Sequence, residues 1–233
     1  MSPQLDTIVG VAEELSLRER KKRETRQRIA DVAMGLFMLR GFDKVTVAEV
    51  AEAADVSVNT VFNYFRTKED LFFDREDIAV ESMGRVVAAR PPGRSAAEAL
   101  RHDFHSALDE RDWRYGITSG APDFFRMVTE SPALVTRMRQ MGELRENYLA
   151  QVLADETDAD PDDPTPRLVA AQLVALVRAV SDDFLRRRMA GESLESVIPA
   201  VRTAVDRAFD LLESGIGAYA VRPAADGWPS PLP

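Results

Sequence analysis

With 233 residues, ordinary apolar content and no cysteine, the chain can bury a sizeable core but can form no disulfide, thiolate metal site or thiol nucleophile. A net charge of −9 would argue against nucleic acid if it were evenly spread, but residues 18–28, RERKKRETRQR, carry seven basic side chains against two acidic ones. All four lysines precede residue 70, whereas from residue 76 onward 18 arginines face 26 carboxylates.

Phosphate contacts act within a Debye length of about 10 Å, so a local basic patch matters more to a polyanion than the acidic remainder. The N-terminus, MSPQLDTIVGVAEELSLRERKK, puts acidic residues before basic ones, lacks an apolar core and does not read as a secretory signal. The longest apolar stretch, LVAAQLVALV at 168–177, is closed by Arg178 and falls short of the roughly 20 residues of a membrane span. No membrane partner and a cytoplasmic location are expected.

Helical periodicity dominates, with no alternating run bounded by hairpin turns, so an all-α fold is expected. Residues 1–17 read as a flexible extension, and the first clear helix as about Glu24 to Arg40, with Ile29, Val32, Ala33, Leu36 and Phe37 on its buried face. Gly41 stops it, and Phe42 is placed to fold back on it. Thr46 and Glu49 form a capping box for a short second helix faced by Val47, Val50, Ala51 and Ala54. After the break DVS (55–57), Ser57 caps a third helix beginning at Val58.

Past Lys68 the helices lengthen: one over about 68–90, a second from the capping box Ser95–Glu98 to about Asp112, and a third near 121–130. Ser131-Pro132 opens a long helix to about 156, and Thr165-Pro166 opens another to about Ala190 after the solvated connector DETDADPDDPTP. A last helix, about 194–213, holds Pro199 either in its first turn or at a kink. The division expected is a DNA-binding domain over 18–67, a helical domain over 68–214 and a frayed tail over 215–233.

Three short helices over 24–66, the last two joined tightly, are the layout of a helix-turn-helix, whose second helix enters the DNA major groove. At about 100° per residue, Val61 and Phe65 share the buried side of the third helix and Asn59, Phe62, Asn63 and Arg66 the opposite one. Outward asparagine amides suit adenine edges, and Phe62 suits a thymine methyl. Thr60, Tyr64 and Lys68 suit phosphate oxygens, which fix register without specifying sequence.

The stretch VTVAEVAEAADVSVNTVFNYFRTKEDLF resembles the DNA-binding signature of TetR-family transcriptional regulators of actinobacterial type. Thr46, Val50, Ala51, Ala54, Val56, Ser57, Thr60, Tyr64, Phe65, Lys68 and Leu71 carry the match. The resemblance implies base contacts from Val58, Asn59, Thr60, Phe62 and Asn63, and phosphate contacts from Thr46, Ser57, Tyr64 and Lys68. Arg20, Lys21, Lys22, Arg23 and Arg26 would reach the neighbouring backbone or minor groove. Two positions depart from the pattern: Asp55 stands at the turn glycine and Phe62 at a tyrosine.

The same resemblance implies a ligand pocket in the larger half and a dimer interface on its last two long helices. On 166–190, Val169, Leu173, Leu176, Val177, Val180 and Phe184 form one apolar face, and Ala171, Ala175 and Ala179 a small-residue stripe on another. Val201, Val205, Ala208 and Leu212 continue the expected interface on the last helix. Phe104, His105, Trp113, Phe124, Phe125, Met127, Met138, Met141 and Tyr148 are candidates to line an apolar pocket.

His102 and His105 lack the partners of a metal site, and no phosphate loop or nucleophile motif is present, so no metal, cofactor or catalytic residue is expected. The reading is a homodimeric repressor of a pseudo-palindromic double-stranded DNA operator, released by an unknown, mostly apolar effector. An activator of the same fold, or a helical small-molecule-binding protein with a vestigial DNA-binding domain, stands as the alternative.

Overall fold

The computed structural model describes residues 3–216 and Val221, with side chains from Leu17 on save those of Ser214 and Ile216. The expected tail over 215–233 thus lies, save three residues, outside the described part. The described residues are helical, without strands: α1 (Pro3–Arg40), α2 (Val47–Ala53), α3 (Val58–Tyr64), α4 (Lys68–Phe72), α5 (Glu76–Ala89), α6 (Ala96–Glu110), α7 (Ala121–Glu130), α8 (Pro132–Thr157), α9 (Thr165–Met189) and α10 (Leu194–Ile216). A single 3₁₀ turn, Trp113–Tyr115, lies between α6 and α7. The chain divides into two compact units, Met1–Asp74 with Thr129–Leu134, and Arg75–Val128 with Val135–Pro233.

The first unit is held by Ile29, Ala30, Ala33 and Phe37 of α1, Val50 and Ala51 of α2, and Val61 and Phe65 around α3, all buried. Gly41 sits at φ 86, its N–H donating to Phe37 O at 2.8 Å, and the returning Phe42 ring lies 5.0 Å from Phe37. The helix expected to begin near Glu24 runs from Pro3 instead, so residues 3–17, expected to be a flexible extension, are helical. No proline interrupts the chain between Pro3 and Pro91 to stop it.

The continuous helix expected over 68–90 is broken. Its first turn, α4, ends at Phe72 and is capped by Phe73, whose ring packs edge-on against Phe72 at 5.0 Å while Phe72 meets Phe42 at 5.8 Å and Phe37 at 6.1 Å. Burying these rings carries the first unit to Asp74, past the boundary expected at residue 67.

The core of the second unit joins Leu100, Phe104 and Leu108 of α6 to Leu173, Val177 and Phe184 of α9 and to Val197, Val201, Val205 and Phe209 of α10. The α10 helix therefore packs against both α6 and α9. Val201 and Val205, expected at a subunit interface, are fully buried in this core and have no surface left for a partner. Ala175 and Ala179 are exposed, and Ala171, Ala208 and Leu212 half-buried. Pro199 lies inside α10, one turn past Leu194, where the helix continues through it.

Candidate nucleic-acid interface

The third helix is positioned from both ends. Ser57 Oγ accepts from the Thr60 N–H at 3.0 Å and shares a proton with Thr60 Oγ1 at 2.8 Å, so both hydroxyls serve the cap. At the other end Phe65, 2% exposed, closes the helix as its N–H donates to Val61 O at 2.9 Å. With Val61 and Phe65 inward, Asn59 and Asn63 are exposed, and so are Val58 and the ring of Phe62, 49% exposed. These four residues sit at i, i+4 spacing in two adjacent pairs, a continuous amide-and-apolar face directed away from the core. Tyr64 flanks it, half-buried.

The turn before α3 needs a left-handed residue, and Asp55 supplies it at φ 53, with its N–H donating to Glu52 O at 3.1 Å. Aspartate is one of the few side chains that visits this region without a large penalty.

On α2, Thr46 is engaged at every polar atom: its N–H and its hydroxyl donate to Glu49 Oε2 at 2.8 Å each, and its Oγ1 accepts from the Glu49 N–H at 3.2 Å. Arg40 donates to the other Glu49 oxygen at 2.7 Å. The Thr46 backbone N–H, then Arg40 and the Thr46 hydroxyl, hold the Glu49 carboxyl down to about 2.

Arg20, Lys21, Lys22 and Arg23 are exposed on α1, with Arg20 3.6 Å from Glu24. Arg26, expected at a phosphate, instead turns inward. Its guanidinium lies 4.8 Å from the centre of the Phe65 ring and donates to Asp74 O at 2.7 Å, tying α1 to the end of α3 and to the chain after α4. Its place is legible in the sequence: 26, 30, 33 and 37 follow the helical repeat of the buried face. Lys68 Nζ rests over the Phe42 ring at 4.3 Å, and burial lowers its pKa against the opposing pull of Asp43, Glu69 and Glu49.

In the second unit the nine pocket candidates scatter. Phe104 is core, 4.4 Å from Tyr115; Met127 and Met141 are buried; Met138, Tyr148 and the edge-on pair Phe124 and Phe125 are half-buried. Trp113 is exposed, with Arg75 5.4 Å over its ring. His105 alone of the nine lines an open cleft of about 620 Å³ between α6 and α10, together with Arg94, Glu98, Arg101, His102, Asp206 and Glu213.

That cleft sets charged and histidine side chains beside Ala97 and Phe209, in place of the aromatic and methionine lining expected around His105. Arg101 reaches Asp206 and Asp210 at 2.8 Å, and His105 Nε2 lies 2.9 Å from Asp206. Arg202 can only donate, so His105 Nδ1 accepts from it at 3.1 Å and Nε2–H is left to donate to Asp206. Arg101 and then His105 hold the Asp206 carboxyl below its usual range. Among the described residues no group of three or more His, Cys, Asp or Glu is placed to hold a metal ion.

A family model described as bacterial regulatory proteins, tetR family, matches residues 29–74, and one described as the MftR C-terminal domain matches residues 95–217, more than half of the chain. The chain belongs to the TetR family of bacterial regulatory proteins.

This TetR-family protein is 30% identical over 194 residues to the HTH-type transcriptional regulator TcmR of Streptomyces glaucescens, covering 82% of this chain and 85% of the relative. It is 26% identical to the HTH-type transcriptional repressor KstR of Rhodococcus jostii (strain RHA1), with 82% and 84% covered. Among solved structures it shares its fold with a SmeT–triclosan complex, at TM-score 0.53 and 16% identity over 90% of this chain and 99% of the other. Native NalD, the secondary repressor of the MexAB-OprM multidrug efflux pump in Pseudomonas aeruginosa, gives TM-score 0.51 and 19% identity over 80% and 97%. The TetR-family protein described above is thus a DNA-binding transcriptional regulator of the helix-turn-helix type, with α2 and α3 as the motif.

Proposed function

We propose that this regulator is a repressor that grips a pseudo-palindromic operator as a homodimer and lets go when a small molecule enters its helical unit. The observation that carries the reading is the outward face of α3, where Asn59, Asn63 and Phe62 stand clear of a helix anchored by Val61 and Phe65. Exposed amides beside an exposed ring have no packing role, and they fit the donors, acceptors and methyl groups of the major groove. Val58 adds apolar contact, and Thr60, its hydroxyl engaged with Ser57, faces the rim of the same surface. Arg20, Lys21, Lys22 and Arg23 supply sequence-independent attraction, with Tyr64 and Lys68 beside the phosphates.

Repression is supported by the relatives named as repressors, among them KstR. Dimerisation is supported by apolar surface left open on the last two helices: Leu168 is 58% exposed, Leu211 is 74% exposed, and Ala175 and Ala179 line α9 between acidic and basic neighbours. A two-fold pair would set the two α3 helices about 34 Å apart, one turn of DNA. A ligand releases such a dimer only if it binds one spacing better than the other, a coupling of about 1–3 kcal/mol in typical cases. SmeT was solved with triclosan, so this fold accepts a small apolar molecule in at least that protein. No helix among the described residues is long and apolar enough to cross a membrane, in keeping with work on DNA in the cytoplasm.

Selection from random duplexes tests the reading. It should enrich an inverted repeat bound by two copies of the chain, in a complex that weakens as salt rises. Enrichment of nothing, or of single half-sites bound by one copy, would contradict it.

A further inference from the structure

The second unit holds a cation whose surroundings are those of a binding site rather than of a structural ion pair. Arg145 lies midway along α8, and the hydrogen bond it makes is from Nε to the carbonyl of Ala79 on α5, at 3.2 Å. Four other arginines of this unit sit against carboxylates, Arg90 against Glu156, Arg101 against Asp206, Arg114 against Asp103 and Arg137 against Glu76, while Arg188 near the end of α9 donates to the Glu192 and Ser119 carbonyls. Among the described residues no carboxylate pairs with Arg145.

A carboxylate in the neighbourhood is already engaged. Tyr115, the titratable group that acts on Arg145, donates its hydroxyl to Asp103 at 2.7 Å, and Arg114 takes the same carboxylate at 3.3 Å. Burial raises the Tyr115 pKa well above its ordinary value, so the ring stays a neutral neighbour. Burial also lowers the pKa of Arg145, with Tyr115 pulling the other way. Arg145 is half-buried, so its guanidinium is partly drawn from water with no carboxylate beside it, and an arriving anion would offset that cost through charge-assisted, fork-shaped hydrogen bonds.

The flanks of Arg145 are apolar. Met138, Met141 and Tyr148 stand at i−7, i−4 and i+3 from it and share its side of α8. Across from them, buried Ala79 and Met83 lie on α5, which approaches so closely that a methyl group on Gly84 would come within 2.6 Å of the Tyr148 ring. An anionic group held at Arg145 therefore leaves the rest of its molecule against thioethers and an aromatic ring.

We propose that the small molecule answered by this regulator is an apolar body bearing one anionic group, and that Arg145 receives that group. The proposal rests on the reading of the helical unit as a ligand-binding unit. A residue kept for a ligand at the expense of the unliganded fold has a signature that a structural residue lacks: its removal raises stability while abolishing selectivity.

Two fluorescent probes with the same ring system test it on the full chain: anilinonaphthalene sulfonate, and phenylnaphthylamine, which lacks the sulfonate. The wild type should bind the sulfonate about tenfold or more tightly than the neutral probe, the effect expected of one charge-assisted hydrogen bond. Arg145→Met should erase that preference, leave the neutral probe unchanged and raise the Tm without ligand; Arg145→Lys should keep the preference in part. Equal affinities in the wild type, no saturable binding of the sulfonate, a preference that survives Arg145→Met, or a lowered Tm in that variant would each overturn the assignment. Operator gel shifts with each probe separate the two readings. If both probes release DNA equally, the role of Arg145 fails and the ligand response stands; if neither does, the response fails as well.

Discussion

Replacing Arg26 with alanine separates two roles that the basic run leaves superimposed. Were Arg26 a phosphate contact, its loss would weaken binding to every duplex and flatten the dependence of log K on log salt by about 0.9. The geometry predicts otherwise. The guanidinium over Phe65 at 4.8 Å contributes about 0.5–1 kcal/mol, and its hydrogen bond to the Asp74 carbonyl at 2.7 Å about 1.5–3 kcal/mol. Together they place the cost of Arg26→Ala at about 2–4 kcal/mol, borne by the unit that contains α1 to α4. For a unit of 60–100 residues that lowers Tm by roughly 10 °C or more. Thermal melting by far-UV circular dichroism reads the first quantity, and gel shifts between 50 and 200 mM salt, taken well below the transition, read the second. An unchanged Tm with a flattened salt slope would instead place Arg26 at a phosphate.

Asp55→Gly removes an L side chain from φ 53, so it should stabilise the first unit by roughly 0.5–1 kcal/mol in denaturant melts and leave operator discrimination alone. Glu49 titrates at about 2 in the fold, below its ordinary 4.5. Its contribution is therefore fully present above pH about 4.5 and lost as the pH falls towards 2. The Tm gap between wild type and Glu49→Gln should accordingly be widest near neutrality and close in acid; a gap that widens in acid would be wrong in sign. Ala175→Arg, on the exposed stripe of α9, should leave the fold intact and shift light-scattering mass from dimer to monomer. Val205→Ala, inside the protomer core, should instead lower stability by about 1–3 kcal/mol with the dimer retained at low temperature.

Local chemistry was the legible part of this chain. The capping boxes at Thr46–Glu49 and Ser95–Glu98 and the Ser57 cap depend on residues three apart, and each forms as the sequence predicts. The faces of α3 follow from its period alone, and Val61 and Phe65 are indeed inward while Asn59, Phe62 and Asn63 are outward. What sequence left undecided depends on neighbours distant along the chain. An apolar stripe such as Val201–Val205 says that something covers it but not what, and here α6 of the same chain does so. The break at Phe73 has no local signal, because burial against Phe72, itself edge-on to Phe42 and tilted against Phe37, ends the helix. His105 reads as a pocket residue by its aromatic company, yet its partners Asp206 and Arg202 lie about a hundred residues away.

On the proposed function, α3 reads bases through its two outward amides, Asn59 and Asn63. The most direct measurement of this is the ratio of affinities for the selected operator and for a scrambled duplex, at one salt concentration, in wild type and in Asn59→Ala and Asn63→Ala. Each bidentate amide–adenine contact is worth about 1–3 kcal/mol of discrimination, so the ratio should fall roughly 5- to 150-fold per substitution while non-specific binding holds. An undiminished ratio in both variants, with folded protein, would contradict the account.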